Sequence, residues 1–238
     1  MSGLISRDIP GYLGKDIEIW VWTTGPLTFP ETAVKKQIKS ATGFNPSEES
    51  AEVKTSYLGF DVEQTIYGTI SHTLSIPMTV RDLVDIARAV GIDPATSKKI
   101  SVADFKRVNL VAWHKDIETG NVNYSECIGG FRARSFSSTK ATGALDTVTI
   151  EGTPDLIIRG DGKVEIIEFI GDGSKKEFDL PAGIVEDDVI CVENPKTVQK
   201  DTGWTYTATG GSTPTTPCIT FDDAPADNSI VRIYFKVA

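Results

Sequence analysis

The chain has 238 residues, enough for one large or two small domains with a proper core. Hydrophobic residues make up 39% of it, which marks a globular and not a disordered sequence. The net charge of −9 argues against a freestanding, tight nucleic-acid binder, and no apolar run approaches the ~20 residues of a membrane helix.

The start, MSGLISRDIPGYLGKD, lacks the basic-then-apolar pattern of a secretory leader and reads as an N-terminal arm. Asp16 to Trp22 is a strand, with Ile17, Ile19 and Val21 alternating against Glu18, Trp20 and Trp22. Two tryptophans on the nominally outer side imply that another element or another subunit covers that side. Thr23 to Ala51 reads as one long Pro/Gly loop with a possible helical turn over Ala33 to Ile38. A loop of that length is functional or mobile as a rule. Its apolar points Leu27, Phe29 and Phe44 are spaced like anchors for a neighbouring subunit.

Glu52 to Met78 is long, polar and β-branched, and a turn near Gly59 to Gln64 divides it into two antiparallel strands. From Thr65 on it alternates. Ile66, Ile70, Leu74 and Ile76 share one parity, and Thr65, Tyr67, Thr69, Ser71, Thr73 and Ser75 share the other, which gives a strand one apolar and one hydroxyl-rich face. Val80 to Val90 is the one expected helix. Thr79 is its N-cap, Asp82 echoes a capping box, and Leu83, Val84, Ile86, Ala87 and Val90 form its apolar stripe. Arg81, Asp85 and Arg88 lie on the expected solvated face, and Gly91 stops the helix.

Val108 to His114 is a further strand. Asn123 to Ser138 and Thr147 to Gly152 form a second long hairpin, again with hydroxyls at one parity (Thr147, Thr149) and with Glu151 beside them. Leu156 to Arg159 and Lys163 to Phe169, joined by Gly160-Asp161-Gly162, read as a tight hairpin with Glu165 and Glu168 pointing out. The composition then shifts. Residues 171–174 read as a linker, and 175–238 hold five short strand-like runs, KKEFDL, VICV, TYTAT, CITF and IVRIYFKV, with turn residues between them, the pattern of a small β-sandwich. That last part, from 171 on, carries 11 acidic against 6 basic residues.

Catalytic motifs are missing: no nucleophile elbow, phosphate-binding loop, dinucleotide fingerprint or zinc-protease motif occurs. Gly129-Gly130 lacks the strand-to-helix setting that cradles phosphate. His114 and Cys127 are a formal base and nucleophile with nothing in the sequence to join them. The acidic runs around Asp172, Glu186 to Asp188 and Asp222-Asp223 lack a calcium-loop spacing and read as exposed turns. Cys191 and Cys218 leave a disulfide open. The reading is therefore a non-enzyme with no catalytic residue, metal ligand or cofactor.

In its order of elements, residues 1–170 resemble the tail tube (major tail) proteins of tailed bacteriophages: two long polar hairpins, one flanking helix and a long loop after the first strand. Residues 175–238 resemble an Ig-like β-sandwich appended to phage structural proteins. That likeness rests on Phe178-Asp179-Leu180-Pro181, Trp204-Thr205-Tyr206-Thr207, Ile219-Thr220-Phe221, Asp223-Ala224-Pro225-Ala226 and Val231-Arg232-Ile233-Tyr234. The resemblance implies a mainly β sandwich/barrel tube domain over 1–170, a linker, and a decoration domain over 175–238. It implies homo-oligomeric, hexameric rings stacked into a tube with other tail proteins as partners. Genomic DNA would pass through the channel on ejection without specific binding. The chain would be a virion tail component assembled in the host cytoplasm, not inserted in a membrane, with a decorated exterior favouring a non-contractile tail. Thr65, Tyr67, Thr69, Ser71, Thr73, Ser75, Thr147, Thr149 and Glu151 would line the channel, and Leu27, Phe29 and Phe44 would contact the next ring. Arg132 and Arg134 would pair with acids at subunit contacts. Two rivals share the sequence features: a carbohydrate- or receptor-binding β module of a tail tip or fibre, stacking sugars on Trp20, Trp22, Trp113 and Trp204, and a hexameric secretion-tube protein, usually shorter.

Overall fold

A computed structural model describes residues 17–23, 35–56, 63–79, 83–92, 94, 97, 99–116, 118–139, 146–193, 198–209 and 216–237. The strands in chain order are β1 (Ile17–Thr23), β2 (Lys35–Ile38), β3 (Asn45–Ser56), β4 (Glu63–Thr79), β5 (Arg107–Lys115), β6 (Val122–Thr139), β7 (Thr147–Thr153), β8 (Leu156–Asp161) and β9 (Lys163–Ile170), followed by β10 (Glu177–Asp179), β11 (Val189–Glu193), β12 (Trp204–Thr207), β13 (Cys218–Phe221) and β14 (Ile230–Val237). One α-helix, α1 (Leu83–Ala89), lies between β4 and β5. The fold is mainly β, as expected, and its strand pairs are antiparallel apart from one isolated bridge.

The large sheet runs β2-β1-β5-β6-β7-β4-β3, with β8 also on β6. It curls round one apolar core filled by Ile19, Val21, Ile38, Leu74, Ile76, Met78, Leu110, Ile128, Phe131 and Ile150, with Ile86 and Val90 from the helix region. The residues after β2 turn back onto β4: Thr42 N–H donates to Pro77 O and Thr79 N–H to Ser40 O. Asp85 holds this crossing. Its Oδ2 accepts from Lys39 N (2.8 Å), Ser40 N (2.9 Å) and Ser40 Oγ (3.0 Å). Asp85 is thus 6% exposed, and not on a solvated helix face. Leu83, expected in the apolar stripe, is 64% exposed. The expected cap at Asp82 lies outside the described residues.

Several expectations change here. The segment expected as a loop and helical turn contains strand β2 and the first half of β3. Asn45 to Ser50 is acidic and hydroxyl-rich because among the described residues β3 is an edge strand, so it carries no apolar alternation to read. Phe44 is 6% exposed inside the subunit's own core, which removes it as an anchor for a neighbour. Leu27 and Phe29 lie outside the described residues. The expected hairpin across Gly160-Asp161-Gly162 does not form. The chain turns there, with Gly162 at φ +73°, but β8 pairs with β6 while β9 pairs along its whole length with β14.

β9, β14 and β11 form a second sheet in the order β11-β14-β9, and β10, β13 and β12 form a third. All five strand-like runs of residues 175–238 are strands, but the sheet that carries β14 is completed by β9, from before the expected linker. The middle sheet is covered on both faces, which is why IVRIYFKV reads as a nearly unbroken apolar run. Val231, Ile233 and Phe235 pack with Phe178, Trp204 and Phe221 of the third sheet's side. Tyr234, with Val164, Ile166 and Cys191, packs on Val111, Trp113 and Cys127 of the large sheet. The rings of Trp20 and Trp113 are 5.3 Å apart at this contact, so the tryptophan side of β1 is covered from within the chain.

A polar cluster pins the two sheets together. Arg232, 2% exposed, donates from Nε to Glu168 (2.9 Å), from Nη1 to Glu193 (3.0 Å) and from Nη2 to Asp155 (3.1 Å). Tyr234 Oη donates to Glu193 (3.0 Å), and Asn109 Nδ2 to Glu168 (3.0 Å). Burial works against the charged guanidinium, but Glu193 and Glu168 hold it firmly protonated, and burial raises the Tyr234 phenol well above its usual range. Glu168, expected to point out, therefore points into the junction. Gly129 and Gly130 make room for it. A Cβ on Gly129 would stand 2.0 Å from Tyr234 Oη, and one on Gly130 would stand 2.0 Å from Asp155 Oδ2.

Removing one partner of such a buried ionic group leaves the others uncompensated, so Arg232→Ala should cost about 3–5 kcal/mol of stability. Urea unfolding measures it, and a loss below ~1 kcal/mol would show that the cluster does not pin the sheets. Truncation after Ile170 takes away the partner of β9 and the counter-ion of Glu168. A 1–170 fragment is accordingly expected to aggregate or stay unfolded by circular dichroism, where a separately folding first unit would give a soluble, cooperatively melting protein.

Candidate functional surface

The outer side of the large sheet, opposite its core, has two halves of different chemistry. Over β1, β5 and the first half of β6 it is apolar and covered by the middle sheet. Over β3, β4, β7 and the second half of β6 no described residue covers it. Cross-strand partners share a face, and the pairings lay out that second half directly. Ser75 opposes Asn45 on one side and Glu151 on the other, Glu151 opposes Ser135, Thr79 opposes Thr147, and Thr147 opposes Thr139. Further along, Thr73 opposes Ser47 and Ser71 opposes Glu49, and Ser71 Oγ donates to the Glu49 carbonyl (3.3 Å).

The structure thus places Ser71, Thr73, Ser75, Thr147, Thr149 and Glu151 on one four-stranded surface; Ser71, Thr73, Thr147 and Glu151 are exposed and Ser75 and Thr149 half-buried. Thr65, Tyr67 and Thr69 belong to the β4 ladder, but their side chains lie outside the described residues. On the other parity Leu74, Ile76, Val148 and Ile150 are buried. Ile70, at the same parity, is 60% exposed, because the β3–β4 arm runs on past the end of the subunit's core.

Sequence reasoning missed three features of this surface. β3 begins at Asn45 and not at Glu52, which lengthens the expected strand. The β6–β7 register shifts between Ala133 and Ser135, so Arg134 is the extra residue of a bulge and emerges beside Ser135 and Glu151. Among the described residues, neither the outer edge of β3 nor the second edge of β6 beyond Arg132 has a strand partner. The β-branched alternation pointed to the hydroxyl surface, but nothing in the sequence marks an edge.

The base of the β3–β4 arm is tied down at the rim of the core. Arg159 donates from Nη1 to Glu48 (2.8 Å) and from Nε to Glu126 (3.3 Å), His114 Nε2 lies 3.2 Å from Glu126, and His72 Nε2 lies 3.5 Å from Glu48. Burial raises the Glu126 carboxyl, but His114, Tyr124 and Arg159 outweigh it and hold it below its usual value. His114 and Cys127 point to opposite faces of the sheet, so they do not meet. The Cys127 thiol is fully buried and pushed far up by burial. Cys191 and Cys218 are free thiols in different sheets. The Asp172 carboxylate is occupied by N–H groups of Lys175 and Ser174, which lower its pKa. Trp113 and Trp204 are each 4% exposed and Trp20 half-buried, so they form no sugar-stacking platform.

A carboxyl held below its unfolded value contributes stability above that value and loses it as pH falls through the folded one. Glu126→Gln should therefore flatten the acid limb of the stability curve below pH 4.5, the ordinary value for Glu126, while lowering stability at neutral pH. Thermal melts from pH 3 to 7 check this (about 0.5 pH apart); an unchanged acid limb would assign acid sensitivity elsewhere.

No protein-family model and no curated protein matches the sequence. Among solved structures, a chain of the anti-feeding prophage baseplate is similar over 68% of this chain and 97% of that one, at 9% identity and a TM-score of 0.45. A chain of the sheath–tube complex of an extracellular contractile injection system covers 66% and 94%, at 12% identity and 0.39. A chain from the tail of an empty GTA particle, refined with C6 symmetry, covers 59% and 92%, at 14% and 0.36. With identities this low and TM-scores below 0.5, these likenesses settle neither function nor assembly.

Proposed function

We propose that the chain is the structural subunit of a phage-type tail tube, closing with copies of itself into rings that stack round a channel for DNA. The observation that carries this reading is the ribbon β6-β7-β4-β3: four antiparallel strands with a hydroxyl-rich face and an open edge on either side. Open strand edges invite pairing with another chain, and closure into a barrel removes them all. The count of four matters. Consecutive strands alternate in direction, so β3 of one copy runs antiparallel to β6 of the next when copies are related by rotation about the barrel axis. An odd number would break that pattern at every seam. A sixfold ring of this kind is the expected closure, stacked with further tail proteins at its ends.

In this reading the hydroxyl face lines the channel. Side chains such as Ser71, Thr73, Thr147 and Thr149 hydrate a passing duplex, and Glu151 keeps phosphates from settling, where a basic lining would release counterions and bind DNA tightly. The middle sheet covers the β1–β5 half of that outer side and the third sheet packs on the middle sheet, so in this reading both stand outside the ring as its decoration. In this reading the pairing of β9 with β14 favours a division between tube and decoration at Gly162 over one at residues 171–174. The outer sheets favour a tail without a contractile sheath. The burial of Trp113 and Trp204 weakens the sugar-binding alternative, and no described surface residue favours it.

Negative-stain electron microscopy of concentrated protein is expected to show rings or tubes with a central channel; strictly monomeric particles at every concentration would sink the proposal. Tubes carrying Ser71→Arg with Thr73→Arg are expected to retain duplex DNA in a salt-dependent way, while unaltered tubes release it. Equal retention by both in a sedimentation assay would remove these residues from the lining.

A further inference from the structure

Arg132 and Arg134 stand out in a chain of net charge −9. Both are exposed, and both sit at the start of the open half of β6. Arg132 directly opposes Arg107 across the β5–β6 pair, a like-charge neighbour that is unfavourable unless a carboxylate intervenes. Asp155 serves Arg107 at 3.1 Å, but it is already shared with Arg232. Among the described residues no carboxylate lies within ion-pair distance of Arg132 or Arg134. At the far side of the same ribbon the open edge of β3 has the opposite sign. Glu49 is exposed there on the same face as Arg134, and no described cation pairs with it. Its neighbour Glu48 turns to the other face, where Arg159 and His72 hold it.

We infer that the occupant of the arginine pair is a second copy of this chain, with Glu49 on its β3 edge seated against Arg134, and Arg132 beside it, of the β6 edge. This deepens the tube reading and rests on it: edge pairing brings the strands together, and the charges decide which edge meets which. The bulge has its use here: alternation already puts Arg132 and Arg134 on one face, and the extra residue brings Ser135 onto it beside them. Opposite charges at one seam raise the association rate and reject the wrong partner. The contact is heterologous, so it makes closed rings or open filaments and not twofold dimers.

The experiment uses full-length protein with Glu49→Arg and, separately, Arg134→Glu, each checked for an unchanged melting temperature and then examined by analytical ultracentrifugation and negative stain. Each variant alone is expected to lose ring formation at low salt by at least tenfold in the concentration required. An equimolar mixture is expected to recover it, because every seam of an alternating ring then joins opposite charges. Rings from either single variant at the unaltered concentration would overturn the inference and leave the tube reading standing. Loss in both singles with no recovery on mixing would overturn the Glu49–Arg134 pairing. Unaltered protein that never forms rings would overturn both.

Discussion

Arg232 is a charge placed where two sheets must agree about it. It sits in the middle of an apolar strand, and its neighbours on that strand, Val231 and Ile233, belong to a different core. A strand slipped by one residue would drive the guanidinium into that core and turn the apolar side chains onto Glu168 and Glu193, so the arginine fixes the face of β14 as strongly as the aliphatic pattern does. Its three carboxylates come from β9, β11 and the turn before β8, and Asn109 and Tyr234 donate to the same Oε2 atoms of Glu168 and Glu193 that the guanidinium engages. A lone buried arginine would cost several kcal/mol in desolvation; here the geometry offsets that cost and fixes the docking in one orientation. The backbone accommodates it at Gly129 and Gly130, the one place where this large sheet gives up two consecutive side chains.

That docking decides which part of the large sheet is left bare. Where the middle sheet lands, the outer side of β1, β5 and β6 carries Trp20, Val111, Trp113 and Cys127. Where it does not, the same side carries serines, threonines and acids. One sheet thus has an outside with two compositions, and the boundary falls within a single strand: Cys127 is buried in the covered half of β6, while Ser135 and Ser137 are exposed in the other. Long strands are the reason. An 18-residue β6 and a 17-residue β4 outrun the core that their first or last half packs on. The exposed Ile70 marks the point where that core ends.

Much of this was legible in the residues. Period-two alternation located β1, β4, β5, β6 and β7 and told their faces apart, and turn residues separated the five short strands at the end. What failed, failed for physical reasons. The start of β3, Asn45 to Ala51, lies on an edge with little to bury, so it reads as loop, while the strand expected from Glu52 on is the rest of β3. Asp85 looked solvated because helical periodicity cannot see a backbone crossing that needs a carboxylate. Gly160-Asp161-Gly162 does turn the chain, but a turn signal does not say whether the two strands it joins pair with each other; here each found a longer partner, β6 and β14. Glu168 and Gly129-Gly130 looked unrelated because their common reason, Arg232, lies far away in sequence. Strand edges and a bulged arginine have no pattern at all in one dimension.

The bareness of the ribbon also carries a constraint against the wrong assembly. An open edge as long as that of β3 is a hazard for any soluble chain, since two copies could pair edge to edge at random. The charges on this face divide the possibilities. β3 against β3 sets Glu49 against Glu49, and β6 against β6 sets Arg132 and Arg134 against their own copies; both twofold arrangements bring like charges together. β3 against β6 joins unlike signs; strand direction does not choose, because a twofold axis perpendicular to the sheet also sets like edges antiparallel. Charge, and not strand direction, therefore separates the head-to-tail seam of the proposed ring from the twofold pairs. A seam that repeats in one sense closes on itself when the rotation allows, and in the proposed tube a channel with a hydroxyl wall is what such closure leaves in the middle.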